Sequence, residues 1–447
     1  MYLSDHEPIV APATAQGGAI AVIRLSGEGV LEKCDQIFKG RKTLSAMEGY
    51  TVAYGRVMDG ERVVDDVLAT VFRAPHSYTG EDSVEISCHG SSYIVSEILR
   101  LMHGIGVRMA EAGEFTIRAY MAGKLDLSQA EAVADLIASS SKAAHAMAST
   151  QMRGGYSSKL DALREELLHL TALMELELDF SEEDVEFADR GALRDLMKRI
   201  GREIDTLRDS FSLGNAIKEG VPVAIVGAPN AGKSTLLNRL LNEDRAMVSD
   251  IAGTTRDVIE EQANIGGVVF RFLDTAGIRQ TDDRLEQMGI ERTLKSIQKA
   301  QIIIHIIDPA TEDPMTFDLR EDQQLLSVVN KIDLNPDAKL EEGWVGISAK
   351  RGEGVEVLKE RLRGLVDTDA LYHGDVVVSH SRHYEALTDA KEALQRAEEG
   401  LDQELPTDLL SEDIRQVIHY IGVITGRGEI LNDEVLQTIF SKFCIGK

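Results

Sequence analysis

The sequence predicts a multidomain chain of mixed class, α/β plus all-α, and three observations lead there. Short apolar runs punctuated by turn residues fill about residues 1–121. Apolar residues at three-and-four spacing fill about 122–213 and return over about 374–447. Between these helical stretches, about 214–373 alternates strand-like and helix-like runs and carries a glycine-rich loop. The economical arrangement is an N-terminal α+β domain, a helical-bundle domain formed from two flanking segments, and an α/β domain inserted between them.

Size supports this division, because 447 residues exceed what one core accommodates. A hydrophobic content of 43% suffices for packed domains. No apolar run reaches the roughly 18 residues of a membrane-spanning helix. The opening MYLSDHEPIVAPAT lacks a basic region followed by an apolar core, so no secretory signal is expected. Cys34, Cys88 and Cys444 lie far apart, with neither a disulfide framework nor metal-ligand spacing, and a cytoplasmic location is expected. Lys and Arg number 48 against 75 Asp and Glu, a net charge of −27. That balance favours solubility and opposes nonspecific nucleic-acid binding, so any RNA contact needs a local basic patch or a basic partner.

In the N-terminal segment, GGAIAVIRLSG, YTVAYGRVM, DDVLATVFRA and DSVEISC read as strands, and YIVSEILRLMHGIG as a helix. In the helical segment, Leu160, Leu163, Leu167, Leu170, Met174 and Leu178 form one stripe. Leu193, Leu196, Ile200, Ile204 and Leu207 form another, and DFSEEDVEFADRG separates the two. Such stripes are read as core. After the insert, YEALTDAKEALQRAEEGL and LSEDIRQVIHYIGVIT return to the same texture.

The insert carries the chemistry. PVAIVG reads as a buried parallel strand, GAPNAGKST (Gly227–Thr235) follows it, and LLNRLL opens a helix. Gly227-x4-Gly232-Lys233-Ser234 is the phosphate-loop pattern in the context it requires. Its glycines let backbone N–H groups turn toward a phosphate. Lys233 reaches the outer phosphates, and the Ser234 hydroxyl can hold Mg²⁺. GTTRD (Gly253–Asp257) offers threonine hydroxyls to Mg²⁺ and the γ-phosphate. FLDTAG ends a strand with Asp274, a Mg²⁺ ligand by chemistry, and Gly277 can approach the γ-phosphate. NKID (Asn330–Asp333) offers a carboxylate for two guanine N–H groups that adenine lacks, and SAK (Ser348–Lys350) offers a backbone donor to the guanine carbonyl. Five motifs in order, each after a strand, predict a Ras-like P-loop GTPase domain that binds GTP with Mg²⁺. Ile278 stands after DTAG, where Ras-like GTPases commonly have a water-orienting Gln. Spacing leaves Asp282, Asp283, Glu286 and Glu291 open for that role.

With these motifs and LEQMGIER together, the chain resembles the MnmE (TrmE) family of tRNA-modification GTPases over essentially its whole length. APHSYTGEDSVEISCHG, RAYMAGKLDLSQAEAVADLI and the terminal FCIGK carry the resemblance further. One departure is Ser91, where the family's CHGG has its second glycine. The resemblance implies GTP hydrolysis coupled to aminomethyl or carboxymethylaminomethyl addition at C5 of the wobble uridine of certain tRNAs. It also implies a flavin-dependent partner, MnmG (GidA), and a homodimer through an N-terminal folate-binding domain.

For nucleotide contacts it implies Asn230, Ala231, Gly232, Lys233, Ser234 and Thr235 in the phosphate loop. Ser249, Asp250, Ile251, Ala252, Gly253, Thr254 and Thr255 follow, then Asp274, Thr275, Ala276 and Gly277. Asn330, Lys331, Ile332, Asp333, Ser348, Ala349 and Lys350 complete the set. Ser234, Thr255 and Asp274 would hold Mg²⁺; Asn230, Ser249, Ile251 and Thr254 would hold K⁺. The family match selects Glu286 to orient the attacking water. For 5-formyltetrahydrofolate or a related folate it implies Arg24, Glu85, Lys124 and Lys447. Cys444 is a tail cysteine on its own and a candidate catalytic thiol by resemblance. The rival reading is a ribosome-assembly or translation GTPase switch. Era-type proteins add a basic RNA-binding domain and Der-type proteins a second G domain. This chain has one phosphate loop and an acidic C-terminal flank, GLDQELPTDLLSEDIRQ.

Overall fold

A computed structural model of the chain describes residues 6–15, 17–179, 190–244, 261–273, 294–311, 317–335, 340–366, 376–427, 436, 439, 440, 443 and 446. It divides into two compact units, Met1–Ala134 with Gly422–Lys447, and Asp135–Ile421. This partition is coarser than the four segments read from the sequence. The C-terminal residues group with the first unit because Leu436, Phe440 and Phe443 share an apolar cluster with Leu127 and Ala130.

In the first unit the strands are β1 (Ile9–Pro12), β2 (Ile20–Ser26), β3 (Phe38–Gly40), β4 (Thr51–Asp59), β5 (Arg62–Phe72), β6 (Ser83–His89) and β7 (Arg108–Met109). They form one sheet in the order β3-β4-β5-β6-β2-β1-β7. Its pairs are antiparallel except β1 with β7. Alternation writes the two faces: Val67, Ala69 and Val71 are buried on β5 while Asp66 and Leu68, on the other face, are exposed. The buried face meets α1 (Val30–Cys34) and the Val95, Ile98 and Met102 stripe of α2 (Ser92–Gly104). After β7 come α3 (Glu114–Met121) and α4 (Leu127–Ala138).

The second unit takes in the end of α4 and then α5 (Lys142–Met152), capped by Ser141, whose Oγ accepts from the Ala144 N–H. The leucine stripes become α6 (Ser157–Asp179) and α7 (Arg190–Asp209). Leu160, Leu163, Leu167 and Met174 are buried on α6, and all five stripe residues are buried on α7. The Leu170 and Leu178 side chains lie outside the described residues. α8 (Phe211–Glu219) then leads into β8 (Val221–Val226) and α9 (Lys233–Asp244). β9 (Glu261–Ile265), β10 (Val268–Phe272), β11 (Ile302–Ile307), β12 (Gln324–Val329), β13 (Val345–Gly346) and α10 (Val355–Gly364) follow. The sheet order is β13-β12-β11-β8-β10-β9, parallel throughout except the β9–β10 hairpin. β8 and β11 are apolar along nearly their whole length because both faces of a parallel sheet are covered.

The chain closes the unit with α11 (Ser381–Asp402) and α12 (Thr407–Thr425). α11 packs along α7, where Gly201 lets Leu394 approach and Lys391 pairs with Asp205 at 2.7 Å. The ends of three elements meet at Asp135, whose carboxylate lies 2.9 Å from Lys218 Nζ and 2.8 Å from His380 Nε2. Among the described residues, no helix is long and apolar enough to cross a membrane.

Candidate functional site

The phosphate loop runs from the end of β8 to the start of α9. Gly227, at φ 150°, passes so close to β11 that a Cβ there would sit 2.2 Å from the Ile306 carbonyl oxygen. Gly232, at φ 105°, leaves a Cβ only 2.1 Å from Asn330 Nδ2. Only glycine satisfies either position. Asn230 adopts the left-handed conformation at φ 59° and is exposed at the loop's tip. Lys233 Nζ donates to the Gly227 and Ala228 carbonyls at 2.8 and 2.9 Å, folding the ammonium over the loop. Ser234 and Thr235 occupy the first turn of α9. Backbone N–H groups at a helix start, a lysine above them and a cradle that a Cβ would fill together suit the phosphates of a nucleotide.

The NKID and SAK motifs close around this loop. Asn330, buried at the end of β12, donates from Nδ2 to the Ala231 carbonyl at 2.7 Å and accepts from the Ala349 N–H at 3.0 Å. One amide thereby ties the phosphate loop to the SAK loop. Lys331 is left-handed at φ 63°, and its Nζ meets Asp308 Oδ2 at 2.6 Å. Burial raises the Asp308 carboxyl, but Lys331 and the Ala310 N–H outweigh it and hold it below the usual carboxylate range. The Asp333 carboxylate, nearly buried, lies 3.3 Å from Arg351 Nε. Ile332 donates its N–H to the Ile347 carbonyl, holding the NKID turn beside SAK. The structure refines one expectation: the Ser348 N–H goes to the Glu353 carbonyl and the Ala349 N–H to Asn330. Among the described residues the Lys350 N–H makes no such hydrogen bond, which leaves it as the SAK amide open to a ligand. Asp308, Arg351 and Arg239 were missed in the sequence. Asp308 carried a faint signal, as an acid closing the apolar run IIIHII.

Ser249, Asp250, Ile251, Ala252, Gly253, Thr254, Thr255, Asp274, Thr275, Ala276, Gly277, Glu286, Cys444 and Lys447 lie outside the described residues. The expected Mg²⁺ and K⁺ sets are thus represented here by Ser234 and Asn230 alone. Among the described residues, no group of three His, Cys, Asp or Glu side chains is placed to hold a metal.

A second cluster forms on the N-terminal sheet. Arg24 and Glu85 are cross-strand neighbours on β2 and β6, and their side chains pair at 2.8–2.9 Å. The Arg24 guanidinium also lies 5.5 and 5.9 Å from the centres of the Tyr78 and Phe115 rings. Its Nη1 donates to the Gly446 carbonyl at 3.3 Å, and Gly446 packs so tightly that a Cβ would lie 2.2 Å from the Pro12 carbonyl oxygen. Lys124 is exposed, and a Cβ at Gly80 would lie 3.5 Å from its Cε. The structure thus joins Arg24, Glu85 and Gly446, with Lys124 beside the loop that follows Tyr78. Tyr78 and Phe115 were not read from the sequence, because only packing brings them to Arg24.

Two family models match. The MnmE helical domain covers residues 127–444, and the N-terminus of the GTP-binding protein TrmE covers residues 8–124. The tRNA modification GTPase MnmE of Bacteroides thetaiotaomicron is 51% identical over 99% of this chain and 100% of its own length. That of Christiangramia forsetii is 50% identical over 99% of each. A solved FeoB G domain from Methanococcus jannaschii is 24% identical, covers 32% of this chain and 96% of its own, and has a TM-score of 0.24. With matches that run almost end to end, and a phosphate loop built for a nucleotide, the chain belongs to the MnmE family of tRNA-modification GTPases.

Proposed function

We propose that the chain hydrolyses GTP to drive addition of an aminomethyl or carboxymethylaminomethyl group at C5 of the wobble uridine of certain tRNAs. In this reading it acts with the flavin-dependent partner MnmG (GidA) and takes its carbon from 5-formyltetrahydrofolate or a related folate. The observation that carries the proposal is half-identity, end to end, with proteins named tRNA modification GTPase MnmE. Residues 1–121 serve as the folate-binding and dimerisation domain, 122–213 with 374–447 as the helical domain, and 214–373 as the G domain.

Within the G domain, Lys233 binds the outer phosphates, Asp333 takes the guanine N–H groups, and Glu286 orients the attacking water. Held by Ser234, Thr255 and Asp274 and by Asn230, Ser249, Ile251 and Thr254, Mg²⁺ and K⁺ would supply positive charge beside the β- and γ-phosphates. Arg24 and Glu85, with Lys124 and Lys447, bind the folate. A guanidinium close to two aromatic rings, next to a carboxylate, suits a flat heterocycle with N–H groups and an acidic tail. Cys444 is the candidate thiol.

Homodimerisation is supported by an apolar strip on the solvent face of the N-terminal sheet. Val52 and Tyr54 stand on one face of β4, with Leu68 opposite Tyr54 on β5, and all three are exposed. Tyr54→Arg should convert the dimer to a monomer in sedimentation; an unchanged mass would move the interface elsewhere.

The function is tested by nucleoside mass analysis of bulk tRNA from cells with and without the chain. Loss of the C5-modified wobble uridine is the expected result. Unchanged nucleosides with altered ribosomal particles would replace the reading with an assembly switch.

A further inference from the structure

Farther along α9, Arg239 reaches across to the SAK loop. Its Nε donates to the Ala349 carbonyl at 3.3 Å and its Nη2 to the Lys350 carbonyl at 2.7 Å. The third arm of the fork, Nη1, donates to Glu243 Oε1 one turn on, at 3.3 Å. Glu243 is held in turn: its Oε2 accepts from Lys359 Nζ at 2.8 Å, and the same ammonium meets Asp244 at 2.6 Å and Glu356 at 2.8 Å. Lys359 is buried on α10, so α9 and α10 grip one another through it. Gly352, at φ 86°, lets the loop pass against the guanidinium; a Cβ there would lie 3.3 Å from Nη1. A groove of about 370 Å³ lined by Thr235, Arg239, Ala349 and Lys350, among others, runs alongside.

Peptide geometry gives this contact its consequence. The Ala349 carbonyl and the Lys350 N–H belong to one planar trans peptide and point in opposite directions. Holding the carbonyl from the α9 side therefore aims the N–H away from α9. The other two SAK amides are spent inside the protein, on Glu353 and Asn330. Asn330 anchors the loop from within and Arg239 from outside.

We propose that Arg239 is a positioning residue for guanine selection: by holding the Ala349 and Lys350 carbonyls it directs the Lys350 N–H to the 6-oxo group of the base. Glu243 and Lys359 hold Arg239 in turn. The proposal rests on the reading of the insert as a guanine-specific GTPase domain.

The test is competition binding on the full chain with a fluorescent GDP as reporter. The competitors are GDP and 2-aminopurine riboside diphosphate, which keeps the 2-amino group and lacks the 6-oxo group. Arg239→Met should cut the preference for GDP about tenfold, the scale of one charge-assisted hydrogen bond. It should do so by weakening GDP and leaving the analogue unchanged. Arg239→Lys, which can hold one carbonyl, should fall between, and Glu243→Gln should show a smaller loss in the same direction. Equal weakening of both ligands, or of neither, would overturn the proposal, since a merely structural brace does not distinguish them. Should Arg239→Met fail to fold, Arg239→Lys decides: a preference equal to wild type overturns the assignment. A wild-type chain that itself binds both competitors equally would instead overturn the reading of the SAK loop, and the proposal with it.

Discussion

The nucleotide site and the Arg24 cluster are built on opposite plans. In the first, function rests on backbone conformation over short contiguous stretches: Gly227 and Gly232 with no room for a Cβ, and Asn230 and Lys331 left-handed. The second is assembled from side chains of β2, β6, the loop at Tyr78 and α3, with the Gly446 carbonyl. A site made of backbone is intolerant of single residues and recognisable by motif. A site made of distant side chains is anonymous until the chain has packed.

The comparison is most sharply broken at Gly232. Gly232→Val would drive a side chain into Asn330 at a left-handed position, and nucleotide affinity should fall by roughly 100-fold or more, given strain of about 1–3 kcal/mol and the lost cradle. Folate binding by the same variant should be unchanged. Calorimetric titration with each ligand checks both halves, and retained GTP affinity would refute the backbone account.

Next comes Asn330→Ala. It strands the Ala231 carbonyl and the Ala349 N–H, and at about 1–3 kcal/mol for each buried unpaired group the second unit should melt several degrees lower. Differential scanning calorimetry would show that transition shift alone. A first-unit transition moving with it would mean the two plans are not separable.

A smaller effect is expected at Arg24. Arg24→Lys keeps the charge but loses the fork that meets Glu85 and Gly446 and the flat face against Tyr78 and Phe115. Folate affinity should drop about tenfold, roughly 1.4 kcal/mol. Full retention would make Arg24 a simple point charge.

The smallest expected effect concerns Asp135, a third place where distant residues meet. Burial raises its carboxyl, but the His380 hydrogen bond and the His380 and Lys218 charges outweigh that and hold it below the usual range. A folded value below the unfolded one, about 3.9, stabilises the fold fully above that pH and loses its contribution as pH falls through the folded value. Asp135→Asn should therefore cost about 1 kcal/mol at pH 7, with the gap to wild type closing below about pH 4. A gap independent of pH in urea unfolding would assign the cost to packing instead.

Much of the fold was legible. Alternation marked β5, a continuous apolar run marked β8, and three-and-four stripes marked α6, α7 and α11, because burial imposes those periods on the residues themselves. The phosphate loop was legible for a related reason: conformations that exclude a Cβ leave glycines at set spacing. What no local pattern disclosed was who meets whom. Asn330 read as part of a base-recognition motif and proved to be the tie between two loops. Arg239, one exposed-looking cation on a helix, grips the loop that follows β13. Phe440 and Phe443 read as the end of a helical segment and pack with the N-terminal unit's Leu127.

Most elements, the order of the nucleotide motifs and the family can be read from residues adjacent in the chain, since each depends on local pattern. Which carbonyls Arg239 holds, which rings lie near Arg24 and which amide of SAK stays open emerge with folding. Those depend on distances between residues far apart in sequence, which are set when the apolar faces pack and not before.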